Sequence, residues 1–508
     1  MIPGRRLGAS TVLALAAAFG FLLETGSAGA SPAPSLEGRV AERRLANGLT
    51  VLVLPRPASP TVSLQMTFRV GGVDEPAGQT GTAHLLEHML FKGTRTLGTV
   101  DWKREEPLLA RIEAVGRELD AERRRGRAAD ASRLEELAAR LEELQRDHRP
   151  LVVKDEIDAI YARHGAVGFN ASTSADLTSY TVSLPSDRLE LWAAIEAARM
   201  GDPVLREYYV EREVVQEERA QRFGGDPGGR LYEALLSAAF AAHPYGNPVI
   251  GWPSDLAVLD IEDTHSFYRR YYGPDNCVIA AVGDVEPDGF FALVERYFGG
   301  IPARGVGRAH RTEEPPQTGP RRVEVTFDAE PRLAVGFHKP TLPERDDYVF
   351  DVIAGVLSDG RSSRLVRELV DRKRVAAAVR AVNGIPGARY PNLFAVFLTP
   401  LAHVTPEEAE EALLEELRRL AEEPPSPEEI SRVVRRLEAA RVRSLVSNAA
   451  LARQLAYFQA VAGDWRYLEE HAAVLAGVTP EEVAAAARTY LTAANRTVAV
   501  LRGEGGGS

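Results

Sequence analysis

The run HLLEH at residues 84–88 places two imidazoles and a carboxylate within five positions. On an α-helix, residues four apart are separated by about 40° around the axis, so His84 and His88 project side by side. Two imidazoles in that arrangement can bind one Zn2+ through metal–nitrogen bonds of about 2.0–2.1 Å. Glu87 lies three residues after His84, on the same face. From there it can take the proton of a water as that water attacks a carbonyl. A catalytic zinc also needs a third protein ligand. The segment EREVVQEE at 211–218 offers Glu211, Glu213, Glu217 and Glu218 on an expected helix. Glu211 and Glu218 are seven apart, about 20° from eclipsed, and share a face. One could ligate the metal while the other accepts a hydrogen bond from a ligand histidine. Spacing alone does not choose among the four.

The elements around these residues are legible from their periodicity. GLTVLVLPRP and TVSLQMTFRVGG alternate as strands do, and the HLLEH helix follows them directly. From Asp101 to about Arg149 the chain turns charged and rich in alanine and leucine. Leu109, Ile112 and Leu119 precede a break at GRAAD, and Leu134, Leu137, Leu141 and Leu144 follow it. Spacings of three and four predict two amphipathic helices folded back as a hairpin, either a contact arm or a solvated insertion. AVGFNASTSADLTSYTVSLP then reads as strand with turn residues, and long helices run from about Asp187 to Gln221. Residues 301–322, rich in Pro, Gly, Arg and Glu, read as a linker. The two sides of that linker resemble each other. IEDTHSFYRRYYGPDNCVIAAVGD closes the first and PEEVAAAARTYLTAANRTVAVLRG the second, with Tyr271 and Asn276 matching Tyr490 and Asn495 at one common offset. Duplication explains this best. DDYVFDVIAGVLSDG (346–360) then takes the place of the HLLEH helix without its His-Glu-His set.

Composition narrows the setting. With 508 residues, 45% of them hydrophobic, the chain is long enough for two or more domains with real cores. A net charge of −11 argues against nucleic acid as a partner, because phosphate binding needs a basic face. Arg5 and Arg6, the apolar run TVLALAAAFGFLL and the small residues Ala28 and Ala30 read as a signal peptide cut after residue 30. No second long apolar run follows, so the processed chain is expected to lack an integral membrane segment and to be periplasmic or secreted. The single cysteine, Cys277, rules out an intrachain disulfide.

HLLEHMLFKGT, GFNASTSADLTSY, EREVVQEE, HPYGNPVIG and YYGPDNCVIAAVGD occur in an order that resembles the pitrilysin/insulinase family of inverted-motif zinc metallopeptidases. The likeness covers nearly all of the processed chain. It is nearest to short bacterial members similar to the mitochondrial processing peptidase. The resemblance implies an α+β fold of two homologous halves, each a mixed, largely antiparallel sheet packed with helices, forming a clam-like half-shell. It implies a catalytic zinc-binding domain over 36–300, with the hairpin of 101–150 inserted, and a non-catalytic homologous domain over 323–504. It makes His84 and His88 the paired zinc ligands, Glu87 the general base, Glu218 the distal ligand and Glu211 its neighbour on a ligand histidine. FNAST resembles the edge strand that pairs with an extended substrate, which implicates Asn170 and Ala171. One zinc per chain and a zinc endopeptidase acting on peptides or unfolded segments follow; a non-catalytic scaffold subunit is the alternative. In one respect the chain departs from the pattern. Members with their own substrate clamp carry an Arg and, seven positions on, a Tyr after an SRL segment, where this chain has Val370 and Ala377. That departure leads us to expect a heterodimer with a family-like subunit supplying Arg and Tyr, a homodimer being the runner-up.

Overall fold

The computed structural model describes residues 35–306 and 312–503, so the expected signal peptide lies outside the described residues. Two sheets dominate. The first has the order β1-β2-β6-β3-β5-β4, with β1 Ala41–Arg44, β2 Thr50–Pro55, β3 Thr61–Phe68, β4 Val167–Thr173, β5 Thr178–Pro185 and β6 Cys277–Gly283. The second has the order β7-β11-β8-β10-β9, with β7 Arg321–Phe327, β8 Arg332–Lys339, β9 Ala376–Ile385, β10 Asn392–Pro400 and β11 Arg496–Gly503. In each sheet one pair is parallel (β2 with β6, β7 with β11) and every other pair is antiparallel. Setting β1 aside, the two orders superimpose strand for strand, and β4 and β9 are the matching edges. β7 begins at Arg321, inside the stretch read from the sequence as linker.

The duplication extends to single hydrogen bonds. Asn276 Nδ2 donates to the Tyr271 carbonyl at 2.9 Å, and Asn495 Nδ2 donates to the Tyr490 carbonyl at 2.8 Å. The same amides reach the ends of equivalent strands, at the Arg69 and His338 carbonyls. Each asparagine thus locks the turn between a helix and the strand after it. In both copies the turn leaves a backbone carbonyl that the asparagine side chain satisfies.

The halves also exchange helices. Pro227–Ala239, from the first half, lays Leu231 and Leu235 against Ala334, Ala395 and Leu501 of the second sheet. Asn448–Val461, from the second half, lays Leu451 and Leu455 against Leu52, Leu54 and Val282 of the first sheet. Each buried leucine contributes about 1.5–3 kcal/mol relative to exposure, so parting the halves would cost several times that. The chain therefore behaves as one interlocked unit.

The HLLEH helix, α1, spans Thr82–Met89. Ala83, Leu85, Leu86 and Met89 belong to the first core, which turns His84, Glu87 and His88 to the other side. Its start is fixed by close backbone contact. Gly81 has φ of 92°, and a Cβ there would lie 2.7 Å from the Ile250 carbonyl oxygen. Gly251, which closes the HPYGNPVIG motif, has φ of 91° and would place a Cβ 2.4 Å from the Thr80 carbonyl oxygen. Only glycine fits at either position. Glu75 then caps α1 by accepting from the Gly81 and Ala83 amides at 2.9 and 2.7 Å.

The hairpin forms from α2, Trp102–Arg124, and α3, Ala131–His148. It is not a free arm. Ile112, Leu119, Leu137, Leu141 and Leu144 are buried in the same core as α1.

Candidate metal centre

Four glutamates of the helix Tyr208–Arg219 competed for the third ligand position, and burial separates them. Glu213 and Glu217 are exposed, while Glu211 and Glu218 turn inward toward α1. Among the described residues, His84, His88 and Glu218 form the one group of three or more such side chains whose ligand atoms lie within 4.8 Å of one another. Glu218 Oε2 is 3.8 Å from His84 Nε2 and 3.6 Å from His88 Nε2. Those separations are too long for hydrogen bonds. They are close to the roughly 3.4 Å between donors of a tetrahedral zinc whose bonds are near 2.0–2.1 Å. Donors that converge without touching fit a metal ion.

The flanking contacts hold the three groups in that arrangement. Glu218 Oε1 is taken by Arg222, one helical turn on, which leaves Oε2 to the histidines. Arg222 sits in the π-helical turn Ala220–Gly224 that continues the glutamate helix. His88 Nδ1 meets Glu211 Oε2 at 3.4 Å, and Lys92 Nζ holds Glu211 Oε1 at 2.5 Å. With Nδ1 turned to a carboxylate, Nε2 presents its lone pair to the metal position. Burial would raise the Glu211 carboxyl, but the hydrogen bonds from His88 and Lys92 outweigh it and hold its pKa at about 2. It is therefore a carboxylate at any working pH. Burial, then the charges of His88 and Arg222, hold His84 well below the usual imidazole range, so it stays neutral as a ligand must. Burial opposes protonation of His88 too, but there Glu211, Glu87 and Glu218 prevail and raise its pKa.

Glu87 faces the same space. Its Oε2 accepts a 2.5 Å hydrogen bond from Thr173 Oγ1, at the end of β4. Burial raises its pKa, and the Thr173 hydrogen bond and the His88 charge temper the rise. A carboxylate so raised accepts a proton more readily near neutrality. Beside it lies a pocket of about 290 Å³ lined by Glu87, His88, Phe91, Lys154 and Asn170 among others. Asn170 is exposed on β4, and Ala171 is buried at 8% exposure, its backbone on the sheet edge.

Several residues here were not anticipated from the sequence. Thr173 lies within the FNAST run but three positions past Asn170, and Arg222 is four past Glu218, a spacing that could have flagged it. Glu75 and Lys92 had no signal beyond their charge. Of the two expected clamp positions, Val370 packs partly buried against the second core, and Ala377 is exposed at the start of β9. Glu211→Gln keeps the shape but removes the charge facing His88. Zinc affinity is expected to fall roughly 10–100-fold, measured by competition with a chelator.

Comparison with known proteins decides the ancestry. The model described as Insulinase (Peptidase family M16) matches residues 50–129 and 152–252, and that described as Peptidase M16 inactive domain matches 259–437. An uncharacterized zinc protease of Mycobacterium bovis is 30% identical over 360 residues, 69% of this chain and 68% of its own. The chain belongs to the insulinase family, M16. Another M16 relative, the zinc protease PqqE of Helicobacter pylori, is 28% identical over 66% of this chain and 64% of its own, just under two thirds of its length. The crystal structure of a protease from Helicobacter pylori superimposes with a TM-score of 0.76 at 24% identity, covering 91% of this chain and 99% of that one. The periplasmic protease PqqL from Escherichia coli gives a TM-score of 0.68 at 17% identity, over 93% of this chain but 48% of that one. The M16 fold of two related halves in a clam-like shell is thus shared.

Proposed function

We propose that this chain is an exported zinc-dependent endopeptidase cutting peptides or unfolded segments, with one zinc held by His84, His88 and Glu218. The observation that carries this reading is the convergence of three donors at metal-ligand separations with a buried carboxylate, Glu87, alongside. When bound, the zinc would polarise the scissile carbonyl and make water a better nucleophile. The protein's own groups do the rest. An extended substrate pairs its backbone with the edge of β4 at Asn170 and Ala171, a mode that holds any sequence in line. Thr173 fixes one Glu87 oxygen, which leaves the other to accept the proton of the attacking water. Glu87 then returns that proton to the leaving amine. Export accords with the amino-terminal apolar run and with a periplasmic structural neighbour. Among the described residues no helix is long and apolar enough to cross a membrane. Hydrolysis of an unstructured peptide that stops on chelation and returns with zinc tests the reading.

The chain's shell is half of what such a reaction needs. Val370 and Ala377 offer no side-chain donor to a tetrahedral intermediate, and losing one such donor costs about 2.7–4 kcal/mol. PqqL carries about twice the length that this chain matches. A second family-like subunit with Arg and Tyr at these places completes the chamber, and a pair of identical chains is the lesser alternative. The lone chain is therefore expected to be nearly inactive on peptides, its mass in solution being measured in the same preparation. Full activity from the lone protein, monomer or homodimer, would exclude an obligate partner. A non-catalytic scaffold role is favoured only by the missing clamp and the inactive-domain match. Stoichiometric zinc with hydrolysis would exclude it.

A further inference from the structure

Two buried arginines tie the α2–α3 hairpin to the elements that carry the metal site. Arg206, just before the glutamate helix, is fully buried. Its Nε donates to Glu105 Oε1 of α2 at 2.7 Å, and His148 Nε2 of α3 meets the same oxygen at 2.8 Å. Its Nη1 donates to the carbonyls of Lys92 and Leu97, at 3.0 and 3.1 Å, in the turn that leaves α1. Arg212, next to Glu211, forms a two-pronged pair with Asp120 of α2 at 2.7 and 2.9 Å. A third contact is steric. A Cβ on Gly116 of α2 would lie 2.0 Å from Tyr209 Cζ, so the ring seats there only because residue 116 is glycine.

Charged pairs this deeply buried are poor sources of stability, since apolar residues of the same size serve as well or better. What a guanidinium fork on a carboxylate adds is fixed orientation. The Arg212 fork fixes the glutamate helix on α2, and Arg206 ties α2 to the turn that leaves α1. Together they act on the spacing between α1, which bears His84 and His88, and the helix that bears Glu218. A metal site tolerates errors of only about 0.5 Å in that spacing. We propose that the α2–α3 hairpin is a brace for the metal centre, with Asp120, Glu105 and Gly116 as positioning residues that set its zinc affinity. The proposal rests on the reading of His84, His88 and Glu218 as a zinc site. The hairpin is then neither a docking arm nor a passive insertion.

The test titrates zinc alone into the chelator-stripped full chain and records the unfolding temperature of the stripped protein. Asp120→Asn leaves Arg212 without its counter-charge and is expected to weaken zinc binding roughly 10–100-fold, with Asp120→Glu recovering part of the loss. Gly116→Ala improves the helix propensity of α2 but drives a methyl group into Tyr209. It too is expected to weaken zinc binding while the stripped protein stays folded, so it decides the matter if Asp120→Asn does not fold. Arg140→Ala, on the exposed face of α3, should bind zinc as the unaltered chain does. Wild-type affinity in folded Asp120→Asn and Gly116→Ala would overturn the brace. So would losses seen only in variants whose stripped form is unfolded. An unaltered chain that takes up no zinc would instead overturn the metal reading, and the brace with it.

Discussion

Glu87→Gln is expected to retain zinc and lose peptide hydrolysis by roughly 10²–10⁴-fold in kcat. The substitution is nearly isosteric, and a glutamine oxygen can still accept the hydrogen bond from Thr173 Oγ1. The change therefore leaves the shape of the site alone and removes only the ability to take a proton. Because Glu87 is not among the three converging donors, metal content should stay at the unaltered level. KM should move little, since the carboxylate is not on the strand edge that holds the substrate. The assay belongs with whichever form has activity, the lone chain or the chain with its partner. Undiminished turnover would contradict the assignment of Glu87 as base.

Glu218→Gln should cost far more in zinc affinity than Glu217→Gln. Glu218 Oε2 faces both histidine nitrogens, and an amide oxygen in its place brings no charge to a divalent cation. The loss should exceed the roughly 10–100-fold expected of a neighbour such as Glu211. Glu217 is exposed one position away and should be silent. The opposite order would mean that the helix presents its other face to α1. Arg222 gives a secondary sign: with the charge of residue 218 removed, its guanidinium loses its ion-pair partner.

How much of this was legible in the sequence depended on whether the determining contacts were local. The His84, Glu87 and His88 set was plain, because helical spacing alone puts the three side chains on one face. The duplication followed from the repeated Tyr and Asn, and the edge position of β4 from the resemblance carried by FNAST, while the strand orders themselves were not legible. The choice of Glu218 and Glu211 rested on resemblance, since their spacing left Glu213 and Glu217 in play until burial separated them. The hairpin helices were readable from leucine spacing, but their tie to the glutamate helix was not. Asp120, Glu105 and His148 sit in a charged run that resembles a solvated surface, and the arginines that pair with Asp120 and Glu105 lie 92 and 101 positions further on. The helix exchange was hidden for a related reason. The apolar face of Pro227–Ala239 shows that it must be covered, but not which sheet it covers.

The most direct test of the central claim is the zinc content of the purified chain after exhaustive dialysis, beside that of Glu218→Gln. The account predicts one zinc per unaltered chain, and far less in the variant at equal fold. An unaltered chain without zinc, or a variant that keeps its full share, would contradict it.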